Sequence, residues 1–294
     1  MIENKRDRNW RRAGLLPALL LYGGLAVLPV MNLFWSSFLR IDWAAGAEQR
    51  AFAGLGNYAR LPQDSFYGVG VINTVVFAVV TVLIQMVLGF ALALIVSRSK
   101  IRSQLYRTII ILPILIPGIV VGAIWRLMFD SDFGVLNQML GMVGLGPYTW
   151  IATPWLARLS IVIVDVWHWT PFVFLLLYAG VQGLPEDVFE AARVDGTAFW
   201  RELRHITMPL MMPTLVVTLM FRIILAFKVF DEIYLLTSGG PGTATEVISF
   251  SIFRTYFIQN DIGYGSAMSF ITMFVVAVLI VVSLGVQRVA GREA

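Results

Sequence analysis

The sequence predicts an all-α polytopic membrane protein with six transmembrane helices. Three observations predict it. Of 294 residues, 58% are hydrophobic and only 14% charged, against about 25% charged in an ordinary soluble domain. The apolar residues gather into runs of the ~20 residues needed to cross a bilayer. Polar, glycine-rich or proline-containing segments separate those runs.

The elements follow in order. Residues 1–12 are basic and polar. Ala13 to Phe38 is the first span. It is longer than the roughly 7–15-residue apolar core of a signal peptide and ends in FWSSF rather than a small-residue cleavage site, so it reads as a retained helix. Residues 40–70 are turn-rich and too polar to span. Val71 to Val96 is the second span, entered through Asn73 and Thr74 and carrying Gln85. A basic loop, Ser97–Arg107, leads to the third span, Thr108–Phe129. Its Pro113, Pro117, Gly118 and Gly122 predict a bent helix packed inside a bundle, where neighbours can satisfy the freed carbonyls. Residues 130–157 hold a short amphipathic piece at Val135–Val143. Leu156–Val181 is the fourth span, Met208–Leu236 the fifth and Gly263–Val286 the sixth. The loop Thr237–Ile262 contains SGGPG at Ser238–Gly242. Its segment Val247–Phe257 is too short for a seventh span and carries Arg254.

Six spans put both ends on one side, and the basic residues choose which. The tails and loops on the N-terminal side carry Lys5, Arg6, Arg8, Arg11, Arg12, Arg98, Lys100, Arg102, Arg107, Arg193, Arg201, Arg204, Arg288 and Arg292. The other side carries Arg40, Arg50, Arg60, Arg126, Arg158 and Arg254. Both termini, and the insert at 182–207, are therefore expected in the cytoplasm. The expected organisation is a single transmembrane domain over 1–294: a tail at 1–12, a first helix at 13–38, a five-helix core at 71–286 containing the insert, and a tail at 287–294.

Several chemistries are missing. The chain has no cysteine, hence no disulfide, thiolate nucleophile or cysteine-based metal site. His168 and His205 form no HExxH-type pair. A P-loop needs Gly-Lys followed by Ser or Thr to cradle phosphates, and Lys5, Lys100 and Lys228 do not follow glycine. The chain is not read as an enzyme, and any ATP-driven step would need a separate subunit.

The insert Gln182–Thr207 is the longest charged, amphipathic stretch between spans. Pro185, Glu186 and Asp187 form a helix start, with proline suited to the first helical position and acids to the positive end of the dipole. Val188, Phe189, Ala192 and Val194 supply apolar contacts, and Glu190 and Arg193 are spaced to pair. Gly196 fits a left-handed stop. A second helix runs from Thr197 through Phe199, Trp200, Leu203 and Ile206 into Pro209. On physical grounds this helix–glycine–helix is either an interfacial connector or a docking surface anchored by Phe189, Phe199 and Trp200.

The spacing Glu190-Ala191-Ala192, three residues, Gly196, nine residues, Ile206-x-x-Pro209 resembles the EAA loop of bacterial ABC importer permeases. Asp195 before the glycine also fits, while Met208 stands where leucine is commoner. GLGNY at 54–58, IWRLMF at 124–129, VWHWTPF at 166–172 and FDEIYLLTSGGPG at 230–242 resemble the carbohydrate-importer branch, nearest its maltose-type "F" subunits. The resemblance covers roughly 13–290 and implies a type I importer (MetI-like) transmembrane domain that translocates a sugar or sugar derivative. It implies a second, similar permease subunit, two cytoplasmic ABC ATPases carrying ATP and Mg, and an extracytoplasmic solute-binding protein at a bacterial inner membrane. No cofactor is implied on this chain. The implied ATPase-docking residues are Phe189, Glu190, Ala191, Ala192, Asp195, Gly196 and Phe199. The long extracytoplasmic insert of the maltose type is absent.

Polar residues within spans are candidates for a translocation path: Asn73, Trp167, His168, Trp169, Arg222, Lys228, Asp231 and Glu232. Each has a plainer reading. Trp167 and Trp169 also suit an interfacial aromatic belt. Lys228 is spaced to pair with Asp231 or Glu232 on one helix. Arg222 is placed either to seal a gate or to pair with Asp165 or another subunit, and Gln85 to bond across helices. The alternatives are the same fold carrying a non-sugar solute, or a secondary transporter or channel acting alone.

Overall fold

The computed structural model describes residues 5–44, 47–99 and 103–290. Lys100, Arg102 and Arg292 of the basic residues above lie outside them. In chain order the elements are α1 (Lys5–Ser36), β1 (Leu39–Ala44), β2 (Ala47–Phe52), α2 (Gly56–Arg60), α3 (Ser65–Arg98), α4 (Ser103–Ile111), α5 (Gly118–Met128), α6 (Val135–Gly141), α7 (Pro154–Gln182), α8 (Glu186–Val194), α9 (Phe199–Glu202), α10 (Met208–Ala226), α11 (Asp231–Leu236), α12 (Ile248–Phe253) and α13 (Ile262–Ala290). Among the described residues, five helices are long and apolar enough to cross a membrane. A broken pair makes a sixth if it counts as one span.

Two spans differ from the sequence reading. The third is not one bent helix: Ser103–Leu115 and Gly118–Met128 meet at 93°. Pro117 removes a backbone donor and drives Ile116 to an extended conformation (φ −86°, ψ 127°), which ends the first segment. The fifth span does not run to Leu236. A helical span covers Phe199–Ala226, with a π-helical stretch at Leu203–Thr207, and the chain breaks at Phe227–Phe230 before α11 starts. Asp231 and Glu232 fall in the first turn of that new helix, where carboxylates complement the dipole. The short helical segment Ile248–Ile258 is no span, as expected.

The chain forms two compact units, Met1–Asp64 with Ile252–Phe274, and Ser65–Ser251 with Val275–Ala294. In the first, residues 40–70 hold an element the all-α reading omits. β1 and β2 pair antiparallel from Leu39↔Phe52 to Ala44↔Ala47. Asn57 is buried and donates to the carbonyls of Ser37 and Leu39, both at 2.9 Å, so the GLGNY segment pins the hairpin's root. Arg60 pairs with Asp261 at 2.9 Å and lies over the Tyr264 ring, whose hydroxyl donates to Asp64.

In the second unit, α3 and α7 pack closely. At Gly89 an added Cβ would stand 2.6 Å from a Val173 methyl and 3.0 Å from the Phe174 nitrogen. Only glycine allows that approach, the usual device where helices meet in lipid. Ala93, Val96, Val173, Phe174, Leu177 and Met211 form the buried apolar cluster beside it, which joins α10 to the pair.

Candidate functional site

Two features of the second unit carry chemistry: a polar clamp beside a small cavity, and the loop around α8. The clamp joins three helices. Gln85 on α3 donates to both the carbonyl (2.9 Å) and the carboxylate (2.8 Å) of Asp165 on α7. Arg222 on α10 donates through Nε to the Gln85 oxygen and through Nη2 to the Asp165 carboxylate. All three side chains are buried, Arg222 at 1% exposure. Its guanidinium faces the Trp169 ring at 5.3 Å.

A second buried pair lies alongside. His168 Nδ1 is 3.0 Å from Glu232 Oε1, and Nε2 is 3.1 Å from the Ile116 carbonyl oxygen. That carbonyl can only accept, so Nε2 carries the proton there. Ile116 is extended at the break of the third span and lies outside both helices, so its carbonyl has no helical partner. His168 therefore answers a carbonyl left open by the break, while Glu232 holds the ring from α11.

The cavity, about 240 Å³, is lined by Gly118, Asp165, His168, Trp169, Leu225, Lys228, Val229, Phe230, Asp231 and Glu232. The break after Ala226 opens it. Gly118 faces Asp231 closely: a Cβ there would stand 2.8 Å from the Asp231 carboxylate and 3.2 Å from its Cβ. Of the eight path residues read from the sequence, five line the cavity: His168, Trp169, Lys228, Asp231 and Glu232. Arg222 lies behind Trp169 in the clamp. Lys228 makes no ion pair with Asp231 or Glu232, because the helical spacing that would align them is broken; Glu232 faces His168 instead.

Two of the eight lie elsewhere. Trp167 is partly exposed and meets Trp125 edge-on. Asn73 directs its amide to the carbonyls of Thr243, Ala244 and Glu246. Thr74 accepts from Ile248 N–H, and Arg158 donates to Ala244. These residues hold the loop that follows SGGPG. Sequence reading missed Phe230, Val229 and Leu225 in the lining; the signal available was the cluster of charges Lys228–Glu232 inside an apolar run.

In the loop, α8 begins after Pro185, which is the N-cap rather than the first helical residue. It ends in a left-handed cap: Gly196 has φ +65° and its N–H bonds Arg193 O, while Thr197 N–H bonds Ala192 O. These are the two bonds of a Schellman motif. Glu190 and Arg193 approach to 3.6 Å and are both exposed, so the pair adds little stability. Glu190, Ala191, Asp195, Gly196 and Phe199 are exposed. Ala192 is buried and Phe189 is half-buried. Those two face the body of the chain beneath the helix. Val188, Val194 and Trp200 add to the exposed apolar face, with Trp200 at 75%.

A bundle of membrane-crossing helices with a buried charged clamp, a small polar cavity and a projecting amphipathic helix defines a transport permease. The chain belongs to the family of binding-protein-dependent transport system inner membrane components, whose model matches residues 85–293. It is 39% identical to the trehalose/maltose transport system permease protein MalF of Thermococcus litoralis, over 93% of this chain and 92% of that one. It is 35% identical to the trehalose transport system permease protein SugA of Mycobacterium tuberculosis, over 90% and 83%. Its fold matches a chain of a bacterial ABC transporter that imports the acidic polysaccharide alginate, with TM-score 0.84, 24% identity and 96% of both chains covered.

Proposed function

We propose that this chain is a membrane-spanning subunit of an ATP-driven importer that moves a sugar or sugar derivative into the cytoplasm. The observation that carries the reading is the near full-length similarity to a trehalose/maltose permease. The capped, exposed α8 supports it, since a membrane subunit without a nucleotide motif needs a rigid surface on which an ATPase can act. On this reading Glu190, Ala191, Asp195, Gly196 and Phe199 contact one of two ATPases that hold ATP and Mg. Asn73 and Trp167 fall away from the path, and the solute meets His168, Trp169, Lys228, Asp231 and Glu232. A second permease completes the membrane half, and an extracytoplasmic binding protein delivers the solute; an alginate transporter similar in fold was solved with a pentasaccharide-bound periplasmic protein. The excess of basic residues on the side of the termini supports both termini facing the cytoplasm of the inner membrane.

The test is reconstitution of the complete transporter in proteoliposomes. Uptake of trehalose or maltose, or of the sugar its binding protein retains, should require ATP and the binding protein together. Uptake that persists without ATP would defeat the reading in favour of a secondary transporter. ATP-dependent uptake of a non-sugar solute alone would keep the fold and overturn the cargo.

A further inference from the structure

We infer that the coupling loop drives the membrane core through α3, by an Arg98–Glu202 link, and not mainly through the helix into which the loop runs. This rests on the reading of the loop as the ATPase-docking surface. Arg98 is the last residue of α3. Its Nη2 donates to Glu202 Oε1 at 2.6 Å, and its guanidinium stands over the Phe199 ring at 4.6 Å. Phe199 and Glu202 are one turn apart on α9, so a single side chain grips the loop's second helix at two points. Glu202 is only 13% exposed, which fixes the carboxylate, while Arg98 is 50% exposed.

The stiffness of the two routes differs. α3 is one helix of 34 residues with no proline inside it. Gln85, thirteen residues before Arg98 on α3 and so about 20 Å along the axis, is the α3 member of the clamp with Asp165 and Arg222. α3 thus touches the loop at one end and the polar clamp beside the cavity further along. The direct route from α9 to α10 crosses a π-helical stretch at Leu203–Thr207, then Pro209 and Pro213. The Thr207 hydroxyl in that stretch is buried with no partner. Widened turns and prolines are where helices bend, so a push on α9 is absorbed there before it reaches Arg222. Through Arg98 it arrives on a continuous rod.

A half-exposed ion pair contributes little to stability, so neutralising it should leave the fold intact and affect transmission alone. The experiment uses the complete reconstituted transporter with Arg98→Gln, Glu202→Gln and the exchange Arg98→Glu/Glu202→Arg. Wild-type ATP-dependent uptake is measured first; its absence defeats the importer reading and not this one. Given wild-type uptake, each single variant should lower binding-protein-stimulated uptake about tenfold, within the range typical of coupling between sites. The ATPase should still co-purify and basal hydrolysis should be unchanged. The exchange should recover at least half of the lost uptake. Single variants that transport within twofold of wild type would overturn the inference, as would an exchanged variant that assembles but stays as slow as the singles. If the singles do not assemble, the exchange alone decides: assembly with transport supports the link, and failure overturns it.

Discussion

A guanidinium held at 1% exposure inside a membrane bundle is costly unless each charge near it is answered. Around Arg222 the answers come from two other helices, the Asp165 carboxylate on α7 and the Gln85 amide on α3. Removing the cation leaves Asp165 buried and unpaired, so Arg222→Ala should destabilise the fold by about 3–5 kcal/mol. Replacing both charges, Arg222→Met with Asp165→Leu, leaves only the Gln85 amide oxygen unanswered, since its NH2 keeps the carbonyl of residue 165, and should cost about 1–3 kcal/mol. Reversible unfolding in mixed micelles measures both; equal losses would show that the pair is not the source of the penalty. The pairing was one of the readings open from sequence, since ionisable residues in spans must find one another. Its rival for Lys228, an intrahelical pair with Asp231 or Glu232, assumed a continuous helix that ends at Ala226. Asn73 shows the same difficulty from the other side. Polarity placed it inside a span, but nothing local tells that its partners are loop carbonyls some 170 residues away.

At the scale of elements, the ends of unbroken apolar helices were legible where hydropathy marks them, as at α7 (Pro154–Gln182), while α1 and α3 begin earlier, in polar residues before their apolar runs. The breaks were not. Pro113 and Pro117 announce a bend, but not that the chain turns extended at Ile116 and that His168 from another helix bonds the carbonyl exposed there. The hairpin at Leu39–Phe52 was hidden because a two-stranded element takes its register from its neighbours, including the buried Asn57. The α8 cap was legible in full, since a left-handed glycine after an amphipathic turn is a local requirement. Its consequence is testable. An added Cβ at Gly196 meets nothing within 4 Å, so Gly196→Ala costs only the left-handed strain of roughly 1–2 kcal/mol. It should keep ATPase binding. Proline cannot take φ +65° and removes the N–H that bonds Arg193. Gly196→Pro should therefore lose co-purification of the ATPase while the membrane core keeps its melting behaviour. Normal assembly and transport by that variant would remove α8 as the docking element.

For the whole molecule, the division of labour follows from what the chain contains. Its lysines make no P-loop, Arg222 and Asp165 inside the bundle hold helices together, and an amphipathic helix, α8, is exposed on the loop. On the proposed function the chain receives force at the loop and redistributes it to the helices around the cavity. Purified alone and placed in liposomes, it should neither retain a labelled ATP analogue above background nor accumulate sugar. Adding the ATPase alone should restore nucleotide binding to the complex. Uptake should return only with the second permease and the binding protein as well. Sustained uptake by the isolated chain would mean that the cavity of about 240 Å³ opens to both sides without an external lever. The loop around Gly196 would then be a connector and not a point of drive.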